Sequence, residues 1–422
     1  MADAALAYPQ PRGEPPSAAV VHAERPQRGV ALKIFLVALF LMPLQIDVDS
    51  FREAIDTRIP PGDLVLLVAV LAAPTVVKFR RTPTMLLPLG LLVALGYGAV
   101  VALLHAGDLS NHSVVVKLLG AVVLVVWCLV TATHVARGHE LIVMKVWLAG
   151  MVFWGFAAWL DWKYVNVLPF QDVKITSRFG GTQYDPNNAG AAYAVAVVVM
   201  WRYGRRAFPR RWVRVLASVW LLVAFALTLS RGGFIGLGVA VAVVLLATRV
   251  GMTRWLRYTV AAMVGLAALA ATGFIASAVD DFQSRPDNVG QRGNLIGDGL
   301  DSLADSYGVG IGLGTFRVEY GEIIHNTAIW FLVEMSIIGV IYFIALCVVP
   351  FQSAIRLRPY DRDLALALLG AHVVMVVASV GIEAVYQRNW WVIIGVIGGA
   401  GARHEAQMRR PADAVPARSS RR

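Results

Sequence analysis

Along this chain apolar residues do not alternate with polar ones; they gather in long runs separated by short polar stretches. The clearest run, Met85 to Leu104, carries no charged side chain. The others are Val30–Ile46, Leu64–Val77, Val114–Thr133, Leu141–Leu160, Pro186–Trp201, Val215–Ser230, Gly232–Thr248, Tyr258–Val279, Thr327–Phe351, Leu364–Ile382 and Trp390–Ala402. A helix needs roughly 20 apolar residues to cross a bilayer, so the pattern predicts an all-α, polytopic membrane protein of about twelve transmembrane helices. Leu64–Val77 and Trp390–Ala402 are its weakest spans. Runs of this length exclude a membrane barrel, whose strands are shorter and alternate.

Composition strengthens that reading. The 422 residues are 58% hydrophobic and only 15% charged, and the mean hydropathy is +0.64. A water-soluble core could not hide that much apolar surface. The formal net charge of +11 is distributed by loop. Lys78, Arg80 and Arg81 fall in one loop, and Arg202, Arg205, Arg206, Arg210, Arg211 and Arg214 in another. Arg249, Arg254 and Arg257 occupy a third, Arg356, Arg358 and Arg362 a fourth, and Arg403, Arg409, Arg410, Arg418, Arg421 and Arg422 the C-terminal tail. These are alternate loops of the twelve-span register, as the positive-inside rule requires of cytoplasmic ones. Both termini are then expected in the cytoplasm. The positive charge answers to topology and anionic lipid rather than nucleic acid.

The expected organisation is a disordered cytoplasmic tail over 1–29, a membrane domain over 30–403 with external loops at 161–186 and 280–326, and a basic cytoplasmic tail over 404–422. The first 29 residues lack the apolar core of a cleaved signal peptide. Cys128 and Cys347 both fall inside spans, so no disulfide framework is expected. No metal-ligand spacing or phosphate-binding glycine motif occurs, and no metal or cofactor is expected.

Polar residues on the external side concentrate in three places. The turn Thr228-Leu229-Ser230-Arg231-Gly232-Gly233 joins two spans with almost no loop and holds Arg231 near the membrane surface. A guanidinium there suits a phosphate, whose oxygens match its fork of donors; equally, Arg231 could snorkel to the headgroups. The long stretch 280–326 contains Arg292, the run Gly308-Val309-Gly310-Ile311-Gly312-Leu313-Gly314-Thr315-Phe316, and His325-Asn326 just before a span. The glycine run is expected to pack as a close loop against the membrane surface. His325 has the residue chemistry of a base for a hydroxyl proton; a lone histidine at a span end also serves simply as an interface residue. Glu334 lies about two turns into the following span, where a carboxylate needs a partner. It could orient His325, pair with an arginine, or form a structural pair inside the bundle. The third stretch reads Arg178-Phe179-Gly180-Gly181, then Asp185-Pro186-Asn187-Asn188. Asp185 and Pro186 suit a helix cap and first turn. Arg178 is not needed for that and adds another cation on the same face.

Taken together, these residues resemble the O-antigen ligase and O-antigen polymerase family of bacterial envelope glycosyltransferases. The resemblance rests on Arg178-Phe179-Gly180-Gly181 with Asp185-Pro186-Asn187, Ser230-Arg231-Gly232-Gly233, Arg292, the run Gly308–Phe316, and His325-Asn326 followed by Glu334 and Gly339. It covers about residues 170–345. Ile324 stands before the histidine where the family often has proline, and Gly293-Asn294-Leu295 follows Arg292 where an aromatic is usual. The stretch 280–325 is also short for a lipid A core ligase.

The resemblance implies a GT-C-like multi-span glycosyltransferase of the bacterial inner membrane, inverting and metal-independent, with its active face periplasmic. The implied donor is an undecaprenyl-pyrophosphate-linked glycan, and the acceptor a second glycan or the lipid A core. Arg231, Arg292 and Arg178 would bind the pyrophosphate and His325 would be the catalytic base, with Glu334 and Asn326 supporting it. A transporter or flippase of an anionic lipid-linked saccharide is the competing expectation, since the same arginines could line a path. Transporters commonly carry repeated halves and helices broken at the midplane, and the sequence shows no such repeat.

Overall fold

In the computed structural model, residues 29–45, 60–78, 82–106, 112–165, 179–181, 185–248 and 287–408 are described. Among these the chain is all-helical, without a strand. The helices are α1 (Val30–Leu41), α2 (Pro61–Ala72), α3 (Pro83–Ala106), α4 (His112–His134), α5 (Glu140–Leu160), α6 (Pro186–Ala207), α7 (Arg211–Leu227), α8 (Arg231–Thr248), α9 (Asp287–Asp305), α10 (Thr315–Tyr320), α11 (Thr327–Leu357), α12 (Arg362–Ala378) and α13 (Arg388–Met408). The apolar run Tyr258–Val279 and Arg178 lie outside the described residues, as do residues 1–28 and 409–422.

Four stretches are long and apolar enough to cross a membrane: Pro83–His105, Val114–Tyr164, Arg231–Thr248 and Thr327–Leu357. Their outer faces are apolar as well. Val93, Val100 and Leu104 on α3, Ile235 and Leu246 on α8, and Ile337, Ile341 and Ile344 on α11 are all exposed. Large exposed apolar surface of this kind is a liability in water and a match for lipid.

The stretch Val114–Tyr164 is two helices running in opposite directions. Gly138 adopts φ +90° between α4 and α5, a left-handed conformation that costs glycine little. Cys128 of α4 packs at Gly395 of α13, and Ala132 at Gly399, so these two helices run parallel. On α5, Glu140 pairs with Arg403 near the end of α13, whereas the Trp147 indole donates to Asn389 near its start. Hence α5 runs antiparallel to α13, and the chain reverses at Gly138. Helix contacts depend on missing side chains: a methyl added at Gly399 would meet the Ala132 carbonyl oxygen at 2.5 Å, and one at Gly395 would meet that of Cys128 at 2.6 Å. Small residues let helix backbones approach where no hydrophobic force drives them together.

Two features of the segment 287–357 depart from a plain loop followed by a plain span. Residues 287–305 and 315–320 are helical. Gly299 of α9 faces Ile324, Phe316 and Val333, so the polar stretch is anchored by an apolar underside. The second feature is a break in α11 at Ser336, which has φ 57° and ψ −154°. The glycine run fills that break. Gly310 and Gly312, both with φ +96°, flank Ile311. The Ile311 N–H donates to the Val333 carbonyl (3.0 Å) and the Gly312 N–H to the Glu334 carbonyl (3.2 Å). The Leu313 N–H reaches the Gly98 carbonyl of α3 at 2.8 Å. Carbonyls freed by the break are thus taken up by the loop, which is the condition for a broken helix at membrane depth. The glycine run packs between α3 and α11 rather than on top of them.

Candidate functional site

Helices α6, α8 and α11 begin at one end of the bundle, where α12 finishes. The N-terminus of each is capped by a side chain. Asp185 accepts from Asn187 N–H at 2.6 Å, Ser230 from Gly233 N–H at 3.2 Å, and Asn326 from Ile329 N–H at 3.1 Å. These caps take up N–H groups left without helical partners. Asn326 therefore has a structural task at the start of α11.

The turn before α8 is held tightly against α6. The Thr228 hydroxyl donates to the Phe225 carbonyl at 2.7 Å. Leu229 sits at φ 48°, a left-handed conformation that costs a non-glycine residue roughly 1–3 kcal/mol. Gly190 of α6 lies so close to Ser230 that a methyl there would come within 2.3 Å of its Cβ. The Phe179 N–H donates to the Leu227 carbonyl at 3.1 Å, and the buried Phe179 ring lies between Trp162 and Tyr193. The motif Phe179–Gly181 and the motif Thr228–Gly233, distant in sequence, thus form one packed unit.

Arg231 is the first residue of α8 and is partly exposed. A cation there opposes the helix dipole, which favours negative charge at an N-terminus by about 0.3–1 kcal/mol. Arg292 on α9 reaches the Gly381 carbonyl at 3.4 Å, a long contact that engages one of five donors. His325 is partly buried just before α11. Burial first, and then the Arg292 charge, lower the pKa of its imidazole; Asp185, Glu322 and Glu383 pull the other way. His325, Arg292 and Asp185 therefore lie within one electrostatic neighbourhood. At this end the N-termini of α6, α8 and α11 come together with Arg231 and Arg292, an arrangement that suits an anion.

Glu334 is buried and meets neither His325 nor an arginine among the described residues. Its carboxylate accepts from the Gly314 N–H at 2.8 Å and pairs with Lys117 of α4 at 3.4 Å. The same lysine pairs with Glu383 at 3.4 Å. Sequence reading passed over Lys117, Glu383 and the bidentate pair of Arg388 with Asp63, whose contacts are 2.8 and 2.5 Å. A charge inside the apolar run Val114–Thr133 was the available signal for Lys117.

Comparison with protein-family models finds no match, and comparison with curated proteins finds none. No cluster of three or more metal-binding side chains occurs among the described residues.

Proposed function

We propose that the chain is an inner-membrane glycosyltransferase of the O-antigen ligase and polymerase type, moving a glycan from an undecaprenyl-pyrophosphate donor to an acceptor hydroxyl. The observation that supports this most is that Arg292 acts on the His325 imidazole at the end of the bundle where Arg231 begins α8. A pyrophosphate leaving group needs charge neutralisation more than an acid, and arginines set at positive helix ends supply it. His325 takes the proton of the acceptor hydroxyl as its oxygen attacks the anomeric carbon from the face opposite the pyrophosphate. The new glycosidic bond forms, the carbon–oxygen bond to pyrophosphate breaks, and its electron pair leaves on the phosphate. Configuration inverts in one step without a metal. The acceptor is a second lipid-linked glycan or a lipid A core. In this reading the chain has about twelve spans, the basic loops and both termini face the cytoplasm, and His325 faces the periplasm.

One observation favours the competing reading of a transporter for an anionic lipid-linked saccharide: α11 is broken at Ser336, as transporter helices often are. The freed carbonyls, however, bond to Ile311 and Gly312 rather than lining a path. Reconstitution separates the two. Proteoliposomes given a defined lipid-pyrophosphate glycan and an acceptor should form a new glycosidic bond; movement of intact donor across the bilayer without bond formation would establish transport instead. Orientation is tested by an impermeant thiol reagent in a background lacking Cys128 and Cys347. Cysteines replacing the exposed Tyr307 and Arg210 should label from opposite sides, and labelling from the same side would remove the proposed topology.

A further inference from the structure

The segment Ser379–Ala384, between α12 and the start of α13, joins α9 to the start of α11 at the candidate site. Its Gly381 carbonyl receives Arg292. Its Ser379 carbonyl accepts from the Thr327 N–H at 2.8 Å. The Thr327 hydroxyl donates to the Ile382 carbonyl at 2.7 Å and accepts from the Ala384 N–H at 3.0 Å. Thr327 is two residues from His325, so the segment supports both the arginine and the imidazole. It is itself fixed from below. Glu383 pairs with Lys117, which also pairs with Glu334 and lies 4.7 Å over the Trp330 ring. The Tyr386 hydroxyl reaches the Lys117 carbonyl at 3.4 Å. One lysine thereby joins α4, α11 and the segment, and through Glu334 and Gly314 the glycine loop.

An apolar side chain of similar volume would fill this space without the desolvation cost of one buried and two partly buried charges. Buried polar groups of this kind are retained where a particular arrangement must be specified. We infer that Lys117 is a positioning residue for the His325–Arg292 pair, holding Glu383 and hence the Ser379–Ala384 segment from which both are supported. Its consequence for catalysis rests on the proposed transferase activity, whereas its consequence for geometry does not.

The charged groups acting on His325 come from every side: Arg292 on α9, Asp185 at the start of α6, Glu322 on its own connection, and Glu383 on the segment. Removing the Lys117 charge leaves the Glu383 carboxylate without its counterion, and that negative charge acts on the imidazole. The full chain in nanodiscs, with isotope-labelled histidine, reports the His325 titration midpoint by NMR; His325→Gln assigns the signal. Lys117→Met should raise the midpoint by roughly 0.5–1 unit, Lys117→Arg should leave it at the wild-type value, and Glu383→Gln should lower it. If Lys117→Met does not fold, the direction seen in Glu383→Gln decides. An unchanged midpoint in folded Lys117→Met, or in Glu383→Gln, would overturn the inference and leave Lys117 as packing only. In an active preparation the acid limb of the transfer rate should move upward in Lys117→Met. A wild type that transfers no glycan while the midpoint moves as stated would sink the transferase and leave the positioning role standing.

Discussion

The two ends of the helical bundle differ in how arginine stands to the dipole of α8. At the end where α6, α8 and α11 finish, arginines meet acids or helix C-termini. Arg202 pairs with Asp363 at 3.0 Å and Arg206 pairs with Asp361. Arg358 bonds to the Ala247 carbonyl and Arg362 to the Thr248 carbonyl at the close of α8. Every one of these contacts runs with the helix dipole or with a counterion. At the other end the same helices begin; Arg388 there pairs with Asp63 and Arg292 reaches the Gly381 carbonyl just beyond α12, while Arg231, the first residue of α8, stands against the dipole. The helix dipole is served by arginine at the first end and, at Arg231, opposed at the second. Such opposition persists where function requires it, and the proposed site rests on that difference.

The comparison is most exposed to His325. If it is the base, His325→Gln should lower transfer by ~100- to 10,000-fold while leaving thermal unfolding unchanged. Next come the arginines. Lysine keeps the charge but not the fork, so Arg231→Lys and Arg292→Lys should each lower kcat/KM for the donor by roughly 10- to 100-fold. Arg206→Lys, at the opposite end, should change transfer by no more than about twofold. Equal losses at both ends would abolish the distinction between them. A smaller effect concerns pH. The neutral imidazole is the active form, and burial with Arg292 lowers its pKa, so transfer should persist below the ordinary histidine range and fail only as the pH drops through the lowered value. Arg292→Gln removes one lowering charge and should move that acid limb upward at saturating donor; Asp185→Asn should move it downward. The smallest effect is on stability: Arg206→Gln breaks a largely solvated pair and should cost about 0–1 kcal/mol in a denaturation midpoint.

Helical character was legible in the sequence because a bilayer demands long apolar runs, and the described helices lie on those runs except α9 and α10, which form in the polar stretch read as a loop. Helix ends were not, since charged ends carry the helix beyond the apolar stretch: α6 continues to Ala207, α11 to Leu357 and α13 to Met408. The break at Ser336 was hidden inside a run that reads as uninterrupted. It depends on Gly310 and Gly312 approaching from another part of the chain, which no local pattern records. The need of Glu334 for a partner was legible, but not its identity, because Lys117 is 217 residues away in sequence. For His325, Arg231 and Arg292 residue chemistry was readable; their relation to helix ends required the fold. Arg178 belongs to the same sequence pattern but lies outside the described residues.

Single-turnover transfer tests the central claim most directly. Purified wild type, His325→Gln, Arg292→Lys and Arg206→Lys would each be mixed in excess over a defined undecaprenyl-pyrophosphate glycan, with acceptor present, and the new glycosidic bond quantified over time. The account predicts rapid transfer by wild type and Arg206→Lys, slow transfer by Arg292→Lys and nearly none by His325→Gln. Wild-type transfer rates in His325→Gln and Arg292→Lys would contradict it.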